Sequence, residues 1–377
     1  MSDGREDGED DAGVTELSPT ADDPPLAAVV EKPHSETAIA ALRAEGVYDD
    51  SRHVREYGSD TVALPISDPP RETRVLEVVR QLDPDRRSRD LEGYLAARGW
   101  SDADLEAAPS SWAVVGSVVL VSVPDALSDE RARELGDALL DLHGEAETVL
   151  ADEGIENAGE AGTYRRPRTR HLAGSTTTET VHVEHGTRYG LDPTEVMFSP
   201  GNQAERARMG DVVSPDERVF DMFAGIGYFT LPMARAGAAV TATEINPTAF
   251  RYLLENAVLN DVTDRVDAYM SDCRDLAGEI DADRVVMGYY GSADGDDRGH
   301  RTDEAREFLP AALEALRSGG VIHYHEATPE SRLWARPLAR LEDAVEGTGR
   351  SVEVLDRRRV KSHSAGVAHV VVDVRVE

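Results

Sequence analysis

The chain has 377 residues, with 73 acidic against 40 basic side chains, a net charge of −33 and a single cysteine, Cys273. Its length is enough for two or three domains, since single domains cluster near ~100 to 200 residues. One cysteine excludes an intrachain disulfide framework and any multi-thiolate zinc or iron–sulfur site; without an apolar run of ~18 residues or a signal-like N-terminus, a soluble, cytoplasmic protein is expected.

So acidic a chain would ordinarily avoid nucleic acid, because phosphate binding needs a positive surface. Only two of the 40 basic residues are lysines, Lys32 and Lys361, and the acids run along the whole chain. That pattern is expected of adaptation to molar salt, where the Debye length falls to ~3 Å and acidic self-repulsion is screened. The acidity then reports on solvent more than on partner. An ordinary acidic enzyme that never meets RNA is the alternative, and composition does not separate the two.

In chain order, residues 1–33 carry ten acids against Arg5 and Lys32. They read as a disordered acidic tail that cannot bury enough surface to offset its ordering entropy. Residues 34–70 form a small α/β module, with a helix over 35–46 and a strand over 61–66, and a linker follows near 67–73. Residues 74–190 read as an α+β connector or RNA-binding domain. In it a β-rich run over 111–121, broken at Gly116, precedes an amphipathic helix predicted over 129–150. Arg165, Arg166, Arg168 and Arg170 then make the densest positive cluster in the chain. They are candidates for phosphate contact; a solvated or carboxylate-paired arginine strand is the equal alternative. Strands are predicted over 178–182 and 195–198.

Residues 191–377 alternate strand and helix from Glu217 onward, which implies a parallel sheet covered by helices on both faces. Predicted strands lie at 218–222, 239–244, 266–269, 283–288, 321–324, 352–360 and 367–376, with helices near 302–317 and 330–346. The last two strands, joined at Ser364-Ala365-Gly366, add an antiparallel edge. Asp221-Met222-Phe223-Ala224-Gly225-Ile226-Gly227-Tyr228 closes the first strand. Gly225 and Gly227 let the backbone turn sharply and approach a ligand. Glu244, nineteen residues past Gly225, is placed to accept two ribose hydroxyls, and Asp272 and Cys273 fall where an adenine would lie. Together these strand ends outline a nucleoside pocket. A dinucleotide fold is disfavoured: Thr230 stands at the third glycine of G-x-G-x-x-G, and Asp221 suits a methionine ammonium rather than a pyrophosphate.

Asp221 to Leu231 with Glu244-Ile245-Asn246-Pro247 resembles the Trm5/Tyw2-type class of tRNA position-37 enzymes. The likeness extends to Thr180–Gly186, Met197–Arg206, His323-Tyr324-His325-Glu326 and Lys361–His369. It implies a Rossmann-like class I S-adenosylmethionine-dependent methyltransferase fold with smaller α+β N-terminal domains. It also implies S-adenosylmethionine as donor substrate and tRNA as partner, bound through the anticodon stem-loop region of tRNA-Phe. The class divides into guanosine N1-methyltransferases and wybutosine-pathway aminocarboxypropyltransferases. The methyltransferase branch carries an Asn-x-Pro-type turn after the strand at 283–287 and a proline where this chain has Tyr228. Here the turn is Met287-Gly288-Tyr289-Tyr290, which resembles the aminocarboxypropyl branch, as does the His-Tyr-His-Glu run. Ser117 departs from the aspartate expected after the Val-Gly of the second domain.

The resemblance further implies cofactor contacts from Ser199, Arg206, Glu244, Asp272 and Cys273, the last through its backbone. Ser199 and Arg206 are the candidates for the donor carboxylate. The implied nucleophile is C7 of 4-demethylwyosine, electron-rich enough to dispense with a strong protein base, and no side chain is assigned a catalytic role. Tyr289 and Tyr290 either stack on the tricyclic base or only close the sheet, and Lys361 is a further candidate for substrate or RNA contact. Neither His323 with His325 nor His182 with Glu184 is expected to hold a metal, because no third ligand is placed by sequence. A guanosine-37 N1-methyltransferase, or an RNA-binding protein that merely retains a cofactor pocket, are the competing functions.

Overall fold

Leu26-Ala27-Ala28-Val29-Val30 is an unbroken apolar run, and it forms strand β1 (Leu26–Glu31), buried along all but its last residue. The acidic tail expected through residue 33 is therefore corrected from residue 24 onward: averaged over 33 residues, composition hid a run just long enough for one central strand. The computed structural model describes residues 24–81, 84, 90–156, 158–289 and 305–377, apart from the side chain of His363. These divide into two units, one ending at Tyr94 and one spanning Leu95–Glu377.

In the first unit, β1 is followed by helix α1 (Ser35–Ala44) and strands β2 (Arg55–Glu56), β3 (Thr61–Ile66) and β4 (Glu77–Arg80). The sheet order is β2-β3-β1-β4. Strand β4 pairs antiparallel with β1, so the expected boundary at residue 74 moves beyond this strand. Helix α2 (Leu91–Ala97) straddles the division at Tyr94.

The second unit opens with α3 (Asp102–Glu106), β5 (Ala113–Val115), β6 (Val118–Val121), α4 (Asp129–Leu142), β7 (Thr148–Ile155), α5 (Gly159–Thr163) and β8 (Pro167–Gly174), in a sheet of order β5-β6-β7-β8. Helix α4 is capped by the Ser128 hydroxyl and buries Ala132, Leu135, Ala138 and Leu139. It stops eight residues short of the expected end, because His143 leaves the helical region at φ −108°, ψ 76°. Thr148-Val149-Leu150, which continued the apolar pattern in sequence, is buried strand instead. A hairpin of β9 (Thr180–Glu184) and β10 (Thr187–Leu191) follows. No strand forms over 195–198: residues 193–196 turn about Asp192, whose carboxylate accepts from the Thr194 backbone at 2.8 Å, and 197–198 are irregular.

Next come α6 (Gln203–Val212), β11 (Arg218–Asp221), α7 (Thr230–Arg235), β12 (Ala239–Thr243), α8 (Pro247–Leu259), β13 (Val266–Tyr269), α9 (Cys273–Leu276), β14 (Ala282–Met287), α10 (Leu309–Ala315), β15 (Leu316–Pro329), α11 (Ala335–Val345), β16 (Val352–Ser364) and β17 (Val367–Val376). Helix α8 begins as its sequence dictates, with Asn246 Oδ1 accepting from the Thr248 backbone at 2.9 Å and Pro247 in the first turn. The seven strands lie in the order β13-β12-β11-β14-β15-β17-β16. The first five run parallel, and β17 runs antiparallel to both β15 and β16. The final strand is thus inserted into the sheet and β16 is the edge. The chain moves outward from β11 to β13 and returns to β14, so β11 and β14 flank the switch point where ligands bind in open α/β sheets.

Candidate functional site

A cavity of about 650 Å³ opens at the carboxyl edge of β11 to β14. The glycine turn after β11 forms its floor. Gly225 and Gly227 sit at φ +57° and +101°, and a Cβ on Gly225 would run into the Tyr228 ring. The turn is fixed to the neighbouring strand by Glu244, whose two carboxylate oxygens accept from the backbone N–H of Gly225 at 2.8 Å and of Asn246 at 2.7 Å. Burial raises the Glu244 pKa while these amide donors oppose the shift.

Asp221 differs from the expectation. It is fully buried and is not part of the cavity wall; its carboxylate accepts the Thr230 hydroxyl at 2.7 Å and braces the turn from beneath. In this arrangement its carboxylate faces Thr230 and does not line the cavity, unlike the direct ammonium partner expected from sequence. Gly227 also lies off the wall, held against Leu231. Burial, opposed by hydrogen bonds from Thr230 and Phe223, pushes the Asp221 carboxyl up to about 6. With the folded value above the ordinary 3.8, the stability tied to its protonated form is full below about pH 4 and is lost as pH rises through about 6. A span of that width corresponds to about 3 kcal/mol. Asp221→Asn should flatten this slope, read from urea midpoints at pH 5 and 8; an unchanged slope refutes the assignment.

The remaining wall matches the sequence reading more closely. Asp272 caps α9 and is gripped by Arg274, whose Nη2 donates at 2.6 Å. Cys273 is buried, and burial pushes its thiol up to about 12, which disqualifies it as a nucleophile. Ser199, Arg206, Gly225, Glu244, Asp272 and Cys273 all border the same cavity.

Arg206 is almost fully buried. Its Nε and Nη2 donate to Glu184 at 2.6 and 2.7 Å, and its Nη1 donates to the Ser199 carbonyl at 3.0 Å. Glu184 was not assigned a role from sequence. His182 completes the chain: its Nδ1 accepts from the Gly116 backbone at 3.1 Å, so its Nε2 carries the proton and donates to Glu184 at 3.1 Å. The departure at Ser117 is absorbed locally, since its N–H donates to the Thr180 hydroxyl at 2.9 Å.

The arginine cluster divides. Arg165, in the left-handed region at φ +52°, borders the cavity with its guanidinium 5.8 Å from the Tyr289 ring centroid. Arg166 is exposed and away from the cavity wall. Arg170 pairs with the Glu153 carboxylate at 2.9 Å, as the carboxylate-paired alternative had it, and Arg168 donates to the Glu153 backbone carbonyl at 2.8 Å. Tyr289 lies on the wall, its ring 5.2 Å from that of Phe223. Tyr290 falls outside the described residues. Lys361 stands behind the wall and donates to the Ser199 hydroxyl.

His323 and His325 are core residues. His323 Nδ1 donates to Asp373 at 2.7 Å, its Nε2 accepts from Arg284, and His325 meets His369 at 3.1 Å. Among the described residues no three His, Cys, Asp or Glu side chains are grouped to hold a metal ion, and no helix is long and apolar enough to cross a membrane.

A glycine turn, an acid ending the next strand and an acid after the third frame a nucleoside site at the switch point of a 3-2-1-4-5-7-6 sheet. Residues 180–355 match the TRM5/TYW2 methyltransferase domain, and residues 91–177 match the TYW2 N-terminal domain. The tRNA(Phe) (4-demethylwyosine(37)-C(7)) aminocarboxypropyltransferase of Pyrococcus horikoshii is 39% identical over 269 residues, 71% of this chain and 90% of that protein. The chain belongs to the TRM5/TYW2 family. A second relative, the tRNA (guanine(37)-N(1))-methyltransferase Trm5b of Pyrococcus abyssi, is 33% identical over 268 residues, 71% of this chain and 75% of that protein. The crystal structure of P. horikoshii TYW2 in complex with MeSAdo superposes with a TM-score of 0.63 at 35% identity, covering 77% of this chain and 99% of that one. Membership of the family and its Rossmann-like class I fold agree with the sequence reading, and the match of residues 91–177 falls on the TYW2 side of the division.

Proposed function

We propose that this protein transfers the 3-amino-3-carboxypropyl group of S-adenosylmethionine to C7 of 4-demethylwyosine at position 37 of tRNA-Phe and releases methylthioadenosine. The observation that carries the reading is the end of β14. There Met287-Gly288-Tyr289 offers the cavity a backbone turn and an aromatic ring, and among the described residues of this strand end no amide or carboxylate side chain is placed to hold a guanine for N1 attack. The TYW2-type N-terminal domain supports the same branch.

The sulfonium of the bound donor activates the methyl, the ribose C5′ and the methionine Cγ alike, so the carbon presented to the nucleophile decides the product. Positioning of this kind is worth roughly 7 to 11 kcal/mol of barrier. C7 bonds to Cγ, the S–Cγ electron pair departs with methylthioadenosine, and the C7 proton goes to water. In this reading Glu244 receives the ribose hydroxyls, and Asp272 with the Cys273 backbone receives the adenine. Ser199 and Arg206 face the carboxylate end of the methionine arm. Arg165 and Tyr289 form the platform for the tricyclic base, an aromatic contact worth ~1 to 3 kcal/mol. The anticodon stem-loop region then lies over Arg165 and Arg166, in the cytoplasm where tRNA is modified.

Incubation with S-adenosylmethionine and tRNA-Phe bearing either guanosine or 4-demethylwyosine at position 37 tests the proposal. The expected outcome is methylthioadenosine with the second tRNA alone. S-adenosylhomocysteine released with the first would instead establish the N1-methyltransferase.

A further inference from the structure

Of the 40 basic residues 38 are arginine, and the two lysines have opposite surroundings. Lys32 is a surface residue paired with Glu56. Lys361 is half-buried, reaches Ser199 beside the cavity, and has no carboxylate partner among the described residues. Burial of a cation without a carboxylate beside a cavity is costly, and an anion bound in that cavity would offset the cost.

The backbone is shaped to put Lys361 there. Along β16, Arg358 faces α6 and bonds Glu205, while Arg359 faces the other way and bonds Glu330. Strict alternation would send residue 361 to the side of Arg359. The pairing with β17 slips between Arg359 and Lys361, a bulge that returns Lys361 to the face of Arg358 and to the segment leading into α6. Its side chain passes Gly201, where a Cβ would stand 3.2 Å from the lysine Cδ.

Ser199 is held from both sides. Arg206 fixes its carbonyl and Lys361 donates to its hydroxyl oxygen. An ammonium only donates, so the Ser199 proton is turned away from Lys361. Burial, followed by the charges of Arg206 and Arg165, lowers the Lys361 pKa, and a nearby anion relieves that repulsion. Glu184 already neutralises Arg206, while Lys361 and Arg165 pair with no carboxylate among the described residues.

We infer that Lys361 is a positioning residue for the donor substrate: it orients the Ser199 hydroxyl and supplies the compact positive charge that selects a donor carrying a carboxylate. This deepens the proposed function and rests on it. Lysine is needed because a guanidinium is wider, planar and forked, and cannot stand behind one hydroxyl as a point charge.

Calorimetric titration of the full chain with S-adenosylmethionine, decarboxylated S-adenosylmethionine and methylthioadenosine provides the test. The wild type should prefer the carboxylate-bearing donor by about tenfold or more, the range of a charge-assisted hydrogen bond. Lys361→Ala should lose that preference while binding methylthioadenosine within twofold of wild type, and Lys361→Arg should not restore it. Retained preference in Lys361→Ala overturns the assignment, and so does an equal loss of methylthioadenosine, which would mark a merely structural lysine. Restoration by Lys361→Arg overturns the requirement for an ammonium. Methylation of guanosine-37 by the wild type would sink the proposed reaction instead, and leave the carboxylate preference standing.

Discussion

Glu244→Gln should bind S-adenosylmethionine at least a hundredfold more weakly than the wild type while retaining its affinity for tRNA. Each Glu244 oxygen already accepts one backbone N–H, from Gly225 and Asn246, and keeps a further lone pair for a ribose hydroxyl. Glutamine replaces one oxygen by an amide nitrogen, so a donor is set against a backbone donor and one ribose acceptor disappears. Hydrogen bonds to a charged group contribute ~1.5 to 3 kcal/mol each, so losing one outright and the charge assistance of the other accounts for a hundredfold or more. Glu244→Ala removes both. Calorimetry with the donor and filter binding with tRNA separate the two affinities, and a modification assay supplies the third reading. A variant that still modifies tRNA at the wild-type rate rules out the nucleoside pocket as the active site. If tRNA binding alone carried the function, that function would survive both substitutions.

The parts of the site read correctly from sequence are those whose chemistry is local. Gly225 and Gly227 need positive φ, Asn246-Pro247 caps the helix it precedes, and Glu244 and Asp272 close successive strands of one parallel sheet. Each of these depends on neighbours a few residues away or on the regular spacing of βα units. The misreadings have the opposite origin. Asp221 looked like a ligand carboxylate because sequence does not show depth, and its partner Thr230 turned it under the floor. Arg168 and Arg170 stood equally between phosphate contact and carboxylate pairing because Glu153, which takes both, lies on β7, a strand the sequence reading does not contain. The links from Glu184 to Arg206, Glu205 to Arg358 and Ser199 to Lys361 span 22, 153 and 162 residues. Only the hairpin and the insertion of β17 into the sheet bring those partners together. The weakest signal available in advance was composition itself: a lysine in a chain that otherwise uses arginine.

Glu184→Ala should be among the most destabilising single substitutions in the catalytic unit, lowering stability by about 3 to 5 kcal/mol. Glu184 and Arg206 each have side chains 3% exposed, and removal of the acid leaves a guanidinium charged and unpaired inside the protein. Burial would raise the Glu184 pKa, but hydrogen bonds from His182 and Arg206 overcome it, so the folded value lies below the ordinary one. The stability it contributes is therefore present above the ordinary glutamate range and is lost as pH falls through the lowered value, the reverse of Asp221. Replacing both partners by methionine removes the desolvated charges together and should recover most of the loss, since apolar substitutes for a buried pair are often neutral or better. Donor affinity should not recover with it, because Arg206 Nη1 also holds the Ser199 carbonyl at 3.0 Å. Urea midpoints and donor titrations on both single variants and the double variant measure these two quantities separately. If the double variant regained donor binding along with stability, the pair would be a structural brace and Ser199 would be placed by other contacts.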